Sequence, residues 1–114
     1  VIFSSGVIIN ANVRVGGASM VTGGVRISRD VPPFIVATDN PVRYGGVNET
    51  LLKSSGTTDK VIGHIANAYR LVFHGQTSVF DAVIQIKEQV PEGKEVNAII
   101  KFIKGTQLGI IGKI

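Results

Sequence analysis

The sequence contains no cysteine and no tryptophan, few aromatics, little negative charge and no long hydrophobic run. Each shortage excludes something. Without Cys there are no disulfides and no thiolate metal sites, which fits a reducing compartment. Aromatic residues make up 6% of the 114 residues while apolar residues make up 44%, so the core must be aliphatic. No apolar run approaches the ~18 residues of a membrane span. The first residues lack the charged region and apolar stretch of a signal peptide. The chain opens on Val1 rather than Met, which reads as a cut. Eight acidic residues face twelve basic ones, for a net charge of +4. The basic residues are scattered and not interleaved with aromatics, which argues against a nucleic-acid surface. A solvated basic surface, or attraction for acidic ligands such as phosphates, remains open.

What is present is a short period. Phe3, Ile9, Val15, Val21 and Ile27 stand six apart. A second register runs Val1, Val7, Val13, Val25 and Val31, broken only by Ser19. Residues two apart on a strand share a face, so both registers point inward. Gly, Ser, Asn and Ala fill most other positions, and corners need such residues. Six residues therefore make one short strand and one corner, and three such units close a coil. This is the hexapeptide repeat of a parallel β-helix; an antiparallel meander of short strands is the alternative. Residues 1–31 hold only about one and a half coils, and a solenoid needs around three repeats to bury a continuous core. The piece is therefore expected to be the end of a longer helix or to be completed by other chains.

Pro32 and Pro33 cannot donate ladder hydrogen bonds. They are expected to stop the repeat and send the chain outward, with "FIVA" forming a short strand and "DNPVRYGG" a turn-rich link. Helical periodicity follows. Ile62, Ile65, Tyr69, Val72 and Phe73 form one stripe, with Thr57, Thr58 or Asp59 as cap and Gly75 as stop. Ser78 caps a second helix that ends before Pro91. Val96, Ile99, Ile100 and Ile103 mark a third, with Lys101 and Lys104 near its C-terminal end. His64 and His74, the two histidines, fall on or at the end of one helix about 80° apart around its axis, with no carboxylate placed as partner. Asp59 and Asp81 read as helix-start residues. The Gly-rich stretches "VGGAS" and "TGGVR" lack a Walker lysine and read as corners.

With both halves in view, the chain resembles the C-terminal part of the bacterial UDP-N-acetylglucosamine O-acyltransferases, hexapeptide-repeat enzymes that open lipid A biosynthesis. The resemblance rests on "RDVPPFIVATDNPVRYGGVN" (29–48), on "NAYRLVFHGQTS" and on "LGII" near the C-terminus. It implies a mixed β-then-α fold: the end of a left-handed parallel β-helix followed by a small three-helix C-terminal domain. The division is 1–34 for the last coils, 35–56 for a connecting strand and loop, and 57–114 for the helices. It also implies a cytoplasmic homotrimer with active sites between subunits. Such enzymes transfer a 3-hydroxyacyl group from acyl carrier protein to UDP-N-acetylglucosamine. They use a histidine base and no metal or other cofactor.

Residue by residue, the resemblance puts Asn48 at a nucleotide-contacting position and Gly23 where acyl-chain length is set. Asn10 and Ala11 fall where the family carries His-Gln, with Asn10 retained as a substrate-binding position. Ser54 and Ser55 occupy two arginine positions that face phosphate, with Lys53 beside them. The catalytic histidine of the family lies upstream of the matched region. The expected role is thus a C-terminal portion of an acyltransferase, inactive by itself. The alternative is a non-catalytic trimeric binding or assembly module.

Overall fold

The computed structural model describes residues 2–3, 6–9, 13–24, 26–39, 42–75, 78–107 and 109–111. Six strands come first: β1 Ile2–Phe3, β2 Ile8–Ile9, β3 Met20–Val21, β4 Arg26–Ile27, β5 Ile35–Thr38 and β6 Arg43–Val47. Four helices follow: α1 Glu49–Ser54, α2 Asp59–Phe73, α3 Val79–Gln89 and α4 Lys94–Lys104. The order is strands then helices, as the sequence suggests, with one helix more than expected.

The hexads stack as parallel ladders. β1 pairs with β3 and β2 with β4, each in parallel, with Phe3 opposite Val21 and Ile9 opposite Ile27. Both offsets are 18 positions, three hexads. An isolated parallel bridge between Val15 and Val31 supplies a third ladder. The antiparallel alternative is thereby excluded for these strands. The inward positions Val21, Ile27 and Val31 are fully buried. Ser19, the break in the second register, is buried too and donates to the Gly16 carbonyl at 2.6 Å, so the hydroxyl is satisfied inside the corner.

The period then shortens. Val15 pairs with Val31, and Val21 with Ala37, 16 positions apart rather than 18. Val31 thus joins the ladder of the first register, although its spacing assigns it to the second. The double proline does not end the stack, because β5 continues it in parallel with β3. Both prolines are buried. A Cβ on Gly16 would lie 2.3 Å from the Pro33 nitrogen, so only glycine fits opposite the proline corner.

Segment 35–56, expected as one strand and a loop, holds two strands and a helix. β6 turns back antiparallel on β5, with Arg43 reaching Asp39 at the turn. α1 is stopped by a Schellman arrangement. Gly56 takes φ +89°, its N–H donates to the Lys53 carbonyl, and Thr57 N–H donates to the Leu52 carbonyl. Further on, Thr58 and Ser78 cap α2 and α3 through their side chains, as their positions suggest.

One core joins both halves. Val21, Ile27, Val31 and Ile35 from the stack belong to the same buried cluster as Ile65, Tyr69, Ile99 and Ile103 from the helices. Tyr69 donates its hydroxyl proton to the Pro33 carbonyl at 2.5 Å, tying α2 to the proline corner. Burial first, then the neighbouring Tyr44, pushes the Tyr69 pKa well above its usual value.

Candidate functional site

Asn48 stands between β6 and α1, at a junction of strained backbone. Ala18 (φ 55°) and Phe34 (φ 70°) both adopt the left-handed conformation without being glycine. Asn48 holds both. Its Nδ2 donates to the Ala18 carbonyl at 3.2 Å, and its backbone N–H donates to the Phe34 carbonyl at 2.7 Å. The Phe34 N–H in turn donates to the Gly17 carbonyl at 2.9 Å. Strain of this kind costs on the order of 1–3 kcal/mol per residue and persists where surrounding contacts fix it, often at functional sites. Asn48 is only 7% exposed.

That exposed edge faces a cavity of about 580 Å³ on the outer side of the β3–β5–β6 sheet. Met20, Val36 and Val47 form its floor, and Thr50, Leu51 and Ser54 of α1 its wall. Met20 and Val36 point here because their neighbours Val21, Ile35 and Ala37 point into the core. Glu49 is the one charged lining residue. The lining therefore offers apolar contact together with amide, hydroxyl and carboxylate groups. Those polar groups accept hydrogen bonds from ligand hydroxyls and amides.

Of the expected site residues, the structure brings Asn48 and Ser54 to one cavity. Gly23 sits in an exposed corner between β3 and β4, away from it. Ser55 and Lys53 are exposed and do not line it. Asn10 and Ala11 lie outside the described residues. His64 is half-buried on α2, and His74 packs edge-on against the Tyr44 ring at 6.1 Å. Neither lines the cavity. Among the described residues no group of three His, Asp or Glu side chains is arranged to hold a metal ion. No described helix is long and apolar enough to cross a membrane.

Spacing in the sequence does not reveal Asp30, which lies at the heart of the second junction. It is 1% exposed. Its Oδ1 accepts from the Arg14 N–H at 2.8 Å and its Oδ2 from the Thr106 hydroxyl at 2.6 Å. Its backbone pairs with the C-terminal segment, through Asp30 N–H to the Gly109 carbonyl and Ile111 N–H to the Asp30 carbonyl. The Arg14 guanidinium lies 4.3 Å over the Phe102 ring. The aspartate of "RDVPP" thus fastens the hexad stack to the end of α4 and to the 109–111 segment beyond it.

The family model for domain 2 of UDP-N-acetylglucosamine O-acyltransferases matches residues 30–111, the stretch that contains Asp30 and Asn48. The chain belongs to this family. It is 33% identical over 103 residues to the acyl-[acyl-carrier-protein]–UDP-N-acetylglucosamine O-acyltransferase of Paraburkholderia phymatum, covering 87% of this chain and 39% of that protein. The enzyme of the same name from Burkholderia thailandensis is 30% identical over 107 residues, covering 90% and 41%. The crystal structure of the UDP-N-acetylglucosamine acyltransferase of Bacteroides fragilis superposes with a TM-score of 0.94 at 36% identity, covering 96% of this chain and 43% of that one. The Arabidopsis structure, at 20% identity and a TM-score of 0.83, shares the fold. The chain thus spans about two fifths of the length of the relatives it matches.

Proposed function

We propose that this chain is the C-terminal portion of an acyl-[acyl-carrier-protein]–UDP-N-acetylglucosamine O-acyltransferase, and that it forms one wall of the substrate site without supplying the base. The coils are left-handed and the assembly is a homotrimer in this reading, as in the sequence expectation. The observation that carries it is Asn48, buried at the edge of the 580 Å³ cavity and held against two left-handed residues. An amide fixed in this way offers a directed contact to a UDP-sugar, at small entropic cost on binding.

The acceptor is a sugar hydroxyl, which attacks a thioester at a useful rate only when a base removes its proton. His64 and His74 are the only histidines of the chain, and both belong to α2 and its end, not to the cavity lining. General-base catalysis contributes about 10²–10⁴-fold, so this chain alone is expected to show no turnover. Acyl carrier protein is the acyl donor in this reading, and no metal or other cofactor takes part.

The test is an assay with UDP-N-acetylglucosamine and 3-hydroxyacyl carrier proteins, joined to a binding measurement. This chain alone should give background turnover and weak UDP-sugar binding. Ser54→Arg restores a cation at the cavity wall and should tighten that binding about fivefold or more, because arginine binds phosphate with two charge-assisted hydrogen bonds. Ser55→Arg, off the cavity, should change it little. Turnover by this chain, or equal effects of the two arginines, would contradict the assignment. The second reading, a non-catalytic trimeric module, is favoured by Glu49 being the one charged group in the lining. No UDP-sugar binding in any of these variants would support it.

A further inference from the structure

The polar atoms that line the Asn48 cavity are mostly hydrogen-bond acceptors. Asn48 commits one N–H to the Ala18 carbonyl, and its Oδ1 has no protein partner among the described residues. No sealed side-chain oxygen or nitrogen among those residues lacks a partner, so that Oδ1 is open to solvent. Ser54 donates its hydroxyl proton to the Leu51 carbonyl at 2.9 Å, so it offers a ligand only lone pairs. Glu49 adds a carboxylate, which accepts and cannot donate when ionised. It is exposed, and no cation lies in ion-pair range among the described residues. Against these acceptors the lining sets two donors, the Thr50 hydroxyl and the second Asn48 N–H. No Lys or Arg is among the described lining residues, and Lys53 stays off the cavity.

A phosphate offers acceptors and negative charge, so it meets few partners here and one repelling carboxylate. A nucleoside is the opposite. Its ribose hydroxyls and base N–H donate, and its planar base suits the apolar floor of Met20, Val36 and Val47. The volume of about 580 Å³ is sufficient for such a ligand. We propose that Glu49 is a specificity residue, which makes this cavity take the uncharged nucleoside portion of a nucleotide sugar and keeps the phosphates outside it. This rests on the reading of the cavity as part of the substrate site. Glu49 directly follows Asn48, whose backbone and side chain are both fixed, so the carboxylate is carried at a set place on the first turn of α1. Serine at position 54, where the resemblance puts a phosphate-facing arginine, acts in the same direction. One residue removes attraction for phosphate and the other adds repulsion.

Uridine and UDP titrated into the full chain test this, by calorimetry with amide shift mapping. The parent should bind uridine at least as tightly as UDP, with shifts at Met20, Val36 and residues 47–54. Glu49→Gln keeps the size of the side chain and removes its charge. It should tighten UDP binding about fivefold, the effect of one charge a few ångströms away at an exposed site, and leave uridine binding unchanged. Glu88→Gln makes the same change in net charge on exposed Glu88 of α3, off the cavity, and should alter neither ligand. The role of Glu49 alone is overturned if the parent binds UDP clearly more tightly than uridine. It is likewise overturned if Glu49→Gln does not tighten UDP, or if Glu88→Gln tightens it equally. Failure of the parent and both variants to bind either ligand, or uridine shifts that map away from the cavity, would overturn both this role and the reading of the cavity as a substrate site.

Discussion

The two ends of the hexad stack are built differently. At one end the helical half closes the ladders. β6 lies antiparallel on β5, the 109–111 segment pairs beside Asp30, and Tyr69 reaches the proline corner. At the other end β1 and β2 have ladder partners on one side only among the described residues, and Ile9, an inward-register residue, is 42% exposed. The same six-residue pattern therefore makes a buried residue at position 27 and an exposed one at position 9. Burial here comes from what lies above and below a coil. The repeat specifies direction alone, and a bare ladder edge invites further strands.

Breaking the closed end should cost far more than changing the open end. The largest effect is expected from Val21→Asp, which puts an unpaired charge into a fully buried site. The desolvation cost of several kcal/mol exceeds what a small domain can lose. Circular dichroism should show no cooperative melt. Next comes Asp30→Ala, which strands the Arg14 N–H and the Thr106 hydroxyl and loosens the C-terminal segment. The expected loss is about 2–3 kcal/mol in urea unfolding.

Tyr69→Phe should cost about 1–2 kcal/mol by leaving the Pro33 carbonyl without its donor. It also carries a pH signature. The folded-state pKa of Tyr69 is raised above its ordinary value of 10.0. The stability this contributes is fully present below pH 10. It is lost as pH rises from 10 towards the folded value, because the unfolded tyrosine releases its proton first. The parent should therefore lose Tm steeply above pH 10, and Tyr69→Phe should lose it more gradually. The smallest effect is expected from Ile9→Ser at the open end, within about 0.5 kcal/mol in the same urea titration. A loss comparable to that of Asp30→Ala would mean that the open end is covered in solution.

The repeat was legible because its aliphatic spacing is local and regular, and three helices were legible from their stripes and caps. α1 was not. Six residues with one buried side chain, Leu52, carry too little periodicity to stand out from a loop. The proline pair concealed β5 for another reason: losing ladder donors predicts a stop, yet deletion of two positions from the coil lets the chain turn the corner and resume pairing. Asp30 binds Thr106 across 76 positions, and no local pattern encodes so distant a partner. Asn48 was legible only through the motif it shares with the family. Its clamp on Ala18 and Phe34 was hidden because neither residue type signals a left-handed backbone.

Amide hydrogen exchange tests the contrast between the two ends most directly, since it reads the opening free energy of each ladder separately. The amides of Thr22, Val31, Asn48 and Ile111, bonded at the closed end, should exchange only through global unfolding. The amides of β1 and β2 should exchange orders of magnitude faster, through local fraying. Equal protection at both ends, or slower exchange in β1 and β2, would contradict the account.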